Sequence, residues 1–124
     1  MEKDLEYIQS TLKGILTSQI PPLKISKDNT GVFELTGTFP TMQGKQKVDG
    51  YYFGSVVPKP KDIRLYFFPI YTHAEAFENI SADVRKCLKG KSCFHIKKLT
   101  SEMEQDIAEM ISLGVELYKK DGLI

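Results

Sequence analysis

The fold is decided by residues 50–72, which read GYYFGSVVPKPKDIRLYFFPIYT. Aromatic and β-branched residues, which favour strands, are denser here than in any other part of the chain. Pro58 and Pro60 interrupt this run, because proline has no N–H to donate and its φ angle is fixed. The stretch therefore predicts two strands, joined as a hairpin by a loop over residues 58–62.

Side chains alternate along a strand, so the sequence also predicts which residues of the hairpin share a face. On the first strand, one face carries Gly50, Tyr52, Gly54 and Val56, and the other carries Tyr51, Phe53, Ser55 and Val57. On the second strand, one face carries Ile63, Leu65 and Phe67, and the other carries Arg64, Tyr66 and Phe68. Aromatic residues occur on both faces. We therefore expect the second face of the sheet to be partly covered or to form an aromatic binding surface.

Two amphipathic helices are predicted outside the hairpin, over residues 2–17 and from Ser101 to a stop at Gly122. Acidic residues at Glu2, Asp4 and Glu6 suit the start of the first helix. Ser101 and Glu104 match a capping box at the start of the second. The apolar stripes are Leu5, Ile8, Leu12, Ile15 and Leu16 on the first helix, and Met103, Ile107, Met110, Ile111, Gly114, Leu117 and Tyr118 on the second.

The remaining segments predict short elements. Before the hairpin they are a turn at 26–31, a strand over 32–39 with Phe33, Leu35 and Phe39 on one side, and a loop at 40–45. After the hairpin they are a helical turn at 72–77 capped by Thr72 and a helix at 81–88 ended by Gly90. The last is a strand at 91–97 with Phe94 and Ile96 inward and Cys93 and His95 outward. Pro69 indicates that the second hairpin strand is an edge or leaves the sheet there. Each terminal helix needs a sheet face to cover its apolar stripe. The sequence therefore predicts one α+β domain, residues 1–124, a two-layer sandwich whose antiparallel sheet carries both terminal helices on one face.

Composition limits the classes of function. The chain has 124 residues, 41% of them hydrophobic and 27% charged, and a net charge of +1. Neither a nucleic-acid nor a membrane partner is expected from this balance. The start at Met1 is polar and does not fit a signal peptide, so Cys87 and Cys93 are interpreted as reduced thiols and the location as cytoplasmic.

Four segments carry a family resemblance: YYFG at 51–54, PIYT at 69–72, LKGKSCFH at 88–95 and GVELY at 114–118. Together they resemble small bacterial YdhG-like proteins, grouped as domain of unknown function 1801, over about residues 47–124. The resemblance implies a compact α+β fold and no known reaction. One relative is regarded as a frataxin-like iron chaperone, a role that rests on carboxylates of the first helix and the adjoining sheet edge. The resemblance thus implies iron binding as an alternative function.

Residues 90–92, Gly-Lys-Ser, look like the end of a phosphate-binding loop. Arg85 stands where such a loop needs its other glycine, and a strand follows where a helix should. A weaker anion site formed by Arg85, Lys86, Lys89 and Lys91 is one alternative, and a solvated basic surface is another. Cys87, Cys93, His73 and His95 show no zinc-ligand spacing, so no metal site and no cofactor are expected.

The chemistry-bearing side chains of the hairpin and its flanks define the predicted binding surface. Its residues are Tyr52, Arg64, Tyr66, Phe68, Tyr71, His73, Lys91 and His95. Stacking on the rings and hydrogen bonding to the polar groups suit a small ligand or a protein partner. No nucleophile–base–orienter set is recognisable, so the sequence favours a non-enzymatic binding domain. An enzyme with a histidine as general base is a further alternative, and a monomer or a homodimer fits equally.

Overall fold

The structure, a computed structural model, describes residues 2–124, with side chains from Asp4 onward. Met1, where the predicted polar start lies, is outside the described residues, and the carboxylate of Glu2 is outside the described side chains. The elements are α1 (Glu2–Thr17), β1 (Lys24–Asn29), β2 (Val32–Thr36), β3 (Thr41–Gln43), β4 (Gln46–Val48), β5 (Tyr52–Pro58), β6 (Ile63–Phe67), α2 (Pro69–Thr72), a 3₁₀ helix (Ala74–Phe77), α3 (Ala82–Arg85), β7 (Leu88–Lys89), β8 (Cys93–Ile96) and α4 (Ser101–Lys120).

Six of the strands form one antiparallel sheet in the order β1-β2-β5-β6-β8-β7. The predicted hairpin of β5 and β6 lies at its centre. Strands β3 and β4 form a separate two-stranded hairpin, inserted between β2 and β5. The aromatic stretch of residues 50–72 thus supplies the two central strands of the sheet.

The hydrophobic core lies between one face of this sheet and the helices α1 and α4. Register aligns a row of apolar residues across the sheet: Phe33, Val56, Leu65, Phe94 and Leu88. The first four are buried, together with Leu12 of α1 and Ile107 of α4. Each such side chain contributes about 1.5–3 kcal/mol when it leaves water. The α+β fold with both terminal helices on the sheet is confirmed.

A β-bulge in β5 changes the predicted faces of that strand. Leu35 pairs with Gly54 and Thr36 with Tyr52, so Phe53 is the extra residue. Regular alternation predicted Phe53 and Val56 on opposite faces, but both are buried in the core. Glycine is required at position 54, because a Cβ there would lie 2.5 Å from the Tyr66 carbonyl oxygen. Because of the bulge at Phe53, the predicted assignment of β5 residues to the two faces was wrong.

Two further segments differ from the prediction because they lack a hydrophobic pattern. Residues 24–29 form the edge strand β1, although every one of them is exposed. Residues 40–45, predicted as a loop, contribute to the β3–β4 hairpin. The strand predicted over 32–39 ends at Thr36, and Phe39 is 53% exposed instead of lying on the buried side with Phe33 and Leu35. Backbone pairing with a neighbouring strand, which leaves no periodic mark in the sequence, forms β1.

The connection from β6 to β8 also differs in detail. Strand β6 is central, and Pro69 marks its exit from the sheet by starting α2, so Thr72 ends a helix instead of capping one. The predicted helix at 81–88 is confirmed only for Ala82–Arg85. Gly90 has φ +77° and turns the chain between β7 and β8. A turn that needs positive φ, rather than a helix end, explains this glycine.

Helix α4 begins one residue earlier than the capping box predicted. The Thr100 hydroxyl is the N-cap and accepts a hydrogen bond from the Met103 backbone N–H at 3.1 Å. Ser101 is therefore the first helical residue. The helix extends to Lys120 as predicted, and six of the seven residues of the predicted stripe are buried. Leu117 is only half-buried, and Val115, which was not in the predicted stripe, is buried instead.

Candidate functional site

The side of the sheet away from α1 and α4, here called the reverse face, is polar and aromatic. Register places one row of side chains across five strands of this face: Glu34, Ser55, Tyr66, Cys93 and Lys89. A second row pairs Val57 with Arg64 and Arg64 with His95. Sequence neighbours of these residues, such as Leu35, Leu65 and Phe94, are buried in the core, so the pleat puts both rows on the opposite face. Ser55 lies on this face too, but it is only 3% exposed.

Asp62 joins two members of the second row. Arg64 donates from Nε to Asp62 Oδ1 at 3.3 Å, and His95 Nδ1 lies 3.6 Å from Asp62 Oδ2. The carboxylate is nearly buried, with Asp62 only 6% exposed, while the side chains of Arg64 and His95 are 32% and 25% exposed. The carboxylate thus orients two cationic or hydrogen-bonding groups that a ligand can still reach.

Tyr66 and Cys93 are cross-strand neighbours in the middle of the reverse face. Burial raises the pKa of the Tyr66 phenol, the Cys93 thiol acts in the same direction, and Arg64 opposes both. Burial likewise raises the pKa of Cys93, against the effect of Tyr66 and Arg64. Both groups are therefore neutral at pH 7. The centre of the face offers a phenol and a thiol as uncharged hydrogen-bonding groups.

Tyr52 and Phe68 form an aromatic cluster beside these rows. The Tyr52 hydroxyl and the Ser55 hydroxyl are 2.6 Å apart, and the Tyr52 ring lies 5.6 Å from the Phe68 ring. Burial raises the pKa of Tyr52 to about 12, although the hydrogen bond to Ser55 opposes the shift. Phe68 continues to Tyr71 at 5.7 Å, and Lys91 Nζ stands 5.1 Å from the Tyr71 ring centre. Seven of the eight predicted binding residues thus lie on the reverse face or along this aromatic chain.

His73 is the predicted binding residue that the structure separates from the others. Its Nδ1 is 2.7 Å from the Thr72 hydroxyl, and its Nε2 is 2.6 Å from Asp121 Oδ2, just past the end of α4. Its ring also lies 6.4 Å from the core residue Tyr118. The sequence prediction placed His73 on the same surface as His95, but His73 lies away from that surface because α2 carries it toward the end of α4.

Concave surfaces flank the reverse face on both sides. A cavity of about 470 Å³ lies at the end of the sheet formed by β8 and β7 and is lined by His95, Asp62 and Cys87, among others. A groove of about 450 Å³ lies on the other side, between Glu34 and Tyr52 of the sheet and the β3–β4 hairpin. Both volumes fall in the range of small-molecule sites, which is about 300–1,000 Å³.

Sequence reasoning missed Asp62, Ser55 and Cys93 as parts of this surface. Asp62 has the same strand parity as Arg64 and Tyr66, so its place on this face could have been found from alternation. Ser55 was hidden by the bulge at Phe53. Cys93 was predicted to point outward but was interpreted only as a flank of the sheet.

The described residues contain no metal-binding cluster of the usual kind. Within residues 4–124, no three His, Cys, Asp or Glu side chains are placed to share a metal ion. None of the helices in the described part of the chain combines the length and apolar character that a transmembrane span needs. Comparison of the chain with protein-family models, with curated proteins and with solved structures gave no match.

Proposed function

We propose that this chain is a non-enzymatic binding domain that holds a small organic molecule on the reverse face of its sheet. The observation that carries the proposal is the row of polar and aromatic side chains outside the helix layer. A sheet face that is not purely apolar and is not covered by a helix leaves hydrogen-bonding groups available for a ligand.

The arrangement defines what the ligand would use. The half-buried ring of Tyr66 provides a stacking surface between the two concave regions. Arg64 and His95 supply donors at one side, and their orientation is set by Asp62. A planar molecule with one acceptor or anionic group would engage all three side chains together.

The concave shape favours a small molecule over a protein partner. Stable protein interfaces bury about 800 Å² per partner and are comparatively flat. Here two hollows of about 470 Å³ and about 450 Å³ flank the face, which suits a compact ligand. A protein partner is the alternative outcome of the same test.

Fragment screening by two-dimensional ¹⁵N–¹H NMR tests the proposal. We expect aromatic fragments with an acceptor group to shift the amides of Tyr66, Cys93 and His95, and Tyr66→Ala or His95→Ala to weaken their binding. Tyr7→Ala is the matched control, because Tyr7 is an exposed tyrosine on α1. If both reverse-face variants bind every fragment as tightly as the control does, the assignment of this face is wrong.

An enzyme is a second candidate, favoured by one observation. His95 and the nearly buried Asp62 both line the 470 Å³ cavity, an arrangement in which a carboxylate can orient a histidine general base. Turnover of p-nitrophenyl esters or phosphates that disappears in His95→Gln and falls in Asp62→Asn would support catalysis. Equal background turnover in the wild type and both variants would count against it.

The remaining expectations stay part of the proposal. Iron binding, implied by the family resemblance, is tested by titration with ferrous iron, where an absence of saturable binding excludes it. A cytoplasmic location is supported by Cys87 and Cys93, whose thiols are free, and is tested by cell fractionation. Sedimentation at several concentrations distinguishes a monomer from a homodimer.

A further inference from the structure

We infer that the cavity at the β8–β7 end of the sheet binds the phosphate group of a small phosphate monoester. The cavity, of about 470 Å³, is bounded by α3, β7, the segment after β8 and the start of α4. Four lysines from three of these segments line it: Lys86, Lys89, Lys97 and Lys98. Four exposed lysines from residues 86–98 thus line one hollow.

These lysines are not neutralised by the protein itself. Within residues 4–124, none of the four has a carboxylate oxygen within 4.0 Å. Of the two aspartates that also line the cavity, Asp62 is held by Arg64 and His95, and Asp83 faces the lysines. Asp4 lines an adjoining cavity together with Lys97 and Lys98, and it makes no ion pair with either of them. Four lysines against two aspartates give the lining a formal charge of +2, whereas the whole chain carries only +1. Such a concentration in a concave site attracts anions.

The charge of the anion is indicated by the number of cations. A phosphate monoester carries about −1.5 to −2 charges at pH 7, whereas a carboxylate carries one. Lysine is a strong phosphate ligand because its ammonium group acts as a point charge with three donors. The N-cap residue Thr100 also lines the cavity, so the positive end of the 20-residue helix α4 lies beside it. Glu102 and Glu104 in the first turn of α4 offset part of this positive field, so the lysines carry the argument.

The rest of the cavity has room for an organic group. Met103, itself mostly buried, and Cys87 provide apolar wall beside the lysines. The volume of about 470 Å³ is roughly fifteen times the volume of about 30 Å³ that one water molecule occupies in the liquid, which leaves room for an organic group beside the phosphate. An aromatic or aliphatic monoester therefore fits the cavity better than inorganic phosphate does.

This site differs from the anion site considered from the sequence. Of the four cations in that hypothesis, Arg85 donates to the Phe77 carbonyl oxygen at 2.6 Å, and Lys91 stands over Tyr71. Only Lys86 and Lys89 line the cavity, and the two other lysines come from beyond β8. The cavity therefore shares two of its four lysines with that earlier grouping.

The inference deepens the proposed function and rests on it only through His95 and Asp62, which both sites share. The probe is phenyl phosphate, titrated into ¹⁵N-labelled full chain, with benzoate and phenol as singly charged and neutral matches. We expect saturable shifts of the Lys86, Lys97 and Thr100 amides with phenyl phosphate. We also expect binding at least about tenfold weaker with benzoate and none with phenol.

Variants separate a built site from a general ionic effect. The double variant Lys86→Gln/Lys97→Gln should weaken phenyl phosphate binding at least about tenfold. Lys45→Gln/Lys47→Gln on the β3–β4 hairpin, which removes the same charge from exposed lysines elsewhere, should change it less than about twofold. Thermal unfolding of each variant checks that the fold is retained.

The outcomes distinguish this inference from the proposed function. Equal weakening in both double variants, equal affinity for benzoate, or no saturable shift at the cavity residues overturns the phosphate site. If fragments bind at Tyr66 and Cys93 while phenyl phosphate fails at the cavity, only the inference falls. If phenyl phosphate binds the cavity as expected and no fragment contacts the reverse face, the proposed function falls and the phosphate site stands.

Discussion

Replacing Gly114 of α4 by alanine tests the packing of the terminal helix on the sheet. A Cβ at this position would lie 2.7 Å from Phe67 Cζ, 2.9 Å from Phe67 Cε1 and 3.1 Å from Pro69 Cγ. Carbon atoms in good contact are about 3.5–4.0 Å apart, so the ring would have to move by roughly 1 Å. Phe67 is fully buried and packs edge-on against Phe53 and Phe77, at ring distances of 5.6 and 5.3 Å.

The magnitude follows from two opposing effects. Overpacking in a core typically costs about 1–3 kcal/mol, and alanine in place of a helical glycine gains about 0.5–1 kcal/mol. We therefore expect Gly114→Ala to lower the free energy of unfolding by about 1 kcal/mol. Gly14→Ala in α1 is the matched control, because a Cβ there meets nothing within 4 Å. It should raise the same free energy by about 0.5–1 kcal/mol.

Urea unfolding followed by far-ultraviolet circular dichroism measures both variants. We expect the free energy of unfolding to change in opposite directions in the two variants, by values that differ by about 2 kcal/mol, and the slope of this free energy against urea concentration to stay the same. If Gly114→Ala stabilises the chain as much as Gly14→Ala does, α4 does not lie against Phe67. The placement of this helix over the sheet would then be refuted.

Three further predictions concern single residues. The pKa of Tyr52 is about 12 in the folded chain and about 10 in the unfolded chain. Its contribution to the free energy of unfolding is therefore complete below pH 10 and is lost between pH 10 and 12, by up to about 1.4 kcal/mol per pH unit. Tyr52→Phe should make the alkaline fall in urea-derived stability shallower, and an equal slope would contradict the burial. Thr100→Ala should cost about 1 kcal/mol in urea unfolding, whereas Ser101→Ala should be near neutral, and the reverse order would restore the capping box. Because the pKa of each thiol is raised, Cys87 and Cys93 should react with iodoacetamide at pH 7.5 more slowly than the urea-unfolded chain, and equal rates would contradict their environments.

Much of the fold was readable because periodicity and burial coincide in the terminal helices and the central strands. Leu12 and Ile107 belong to stripes that only a sheet face can cover, and Leu65 alternates with Arg64 and Tyr66 as the structure has it. The rest depended on features without a periodic mark. The edge strand β1 is held by backbone pairing with β2, and its residues are all exposed.

The candidate site was only partly predictable, for two physical reasons. The bulge at Phe53 reverses the parity of β5, which hid Ser55 and its contact with Tyr52. Helix α2 turns the chain away after Phe68, so His73 reaches Asp121 instead of the reverse face. Neither the one extra residue nor the direction of a four-residue helix can be read from hydrophobic pattern alone.

The most direct test of ligand binding on the reverse face is a crystal structure of the chain with the tightest fragment from the NMR screen. The account predicts that the fragment stacks on Tyr66, with a polar atom within hydrogen-bond distance of Arg64 or His95. A fragment bound among the helices, or in the hollow beside His73 and Leu117, with no contact to Tyr66, would contradict it.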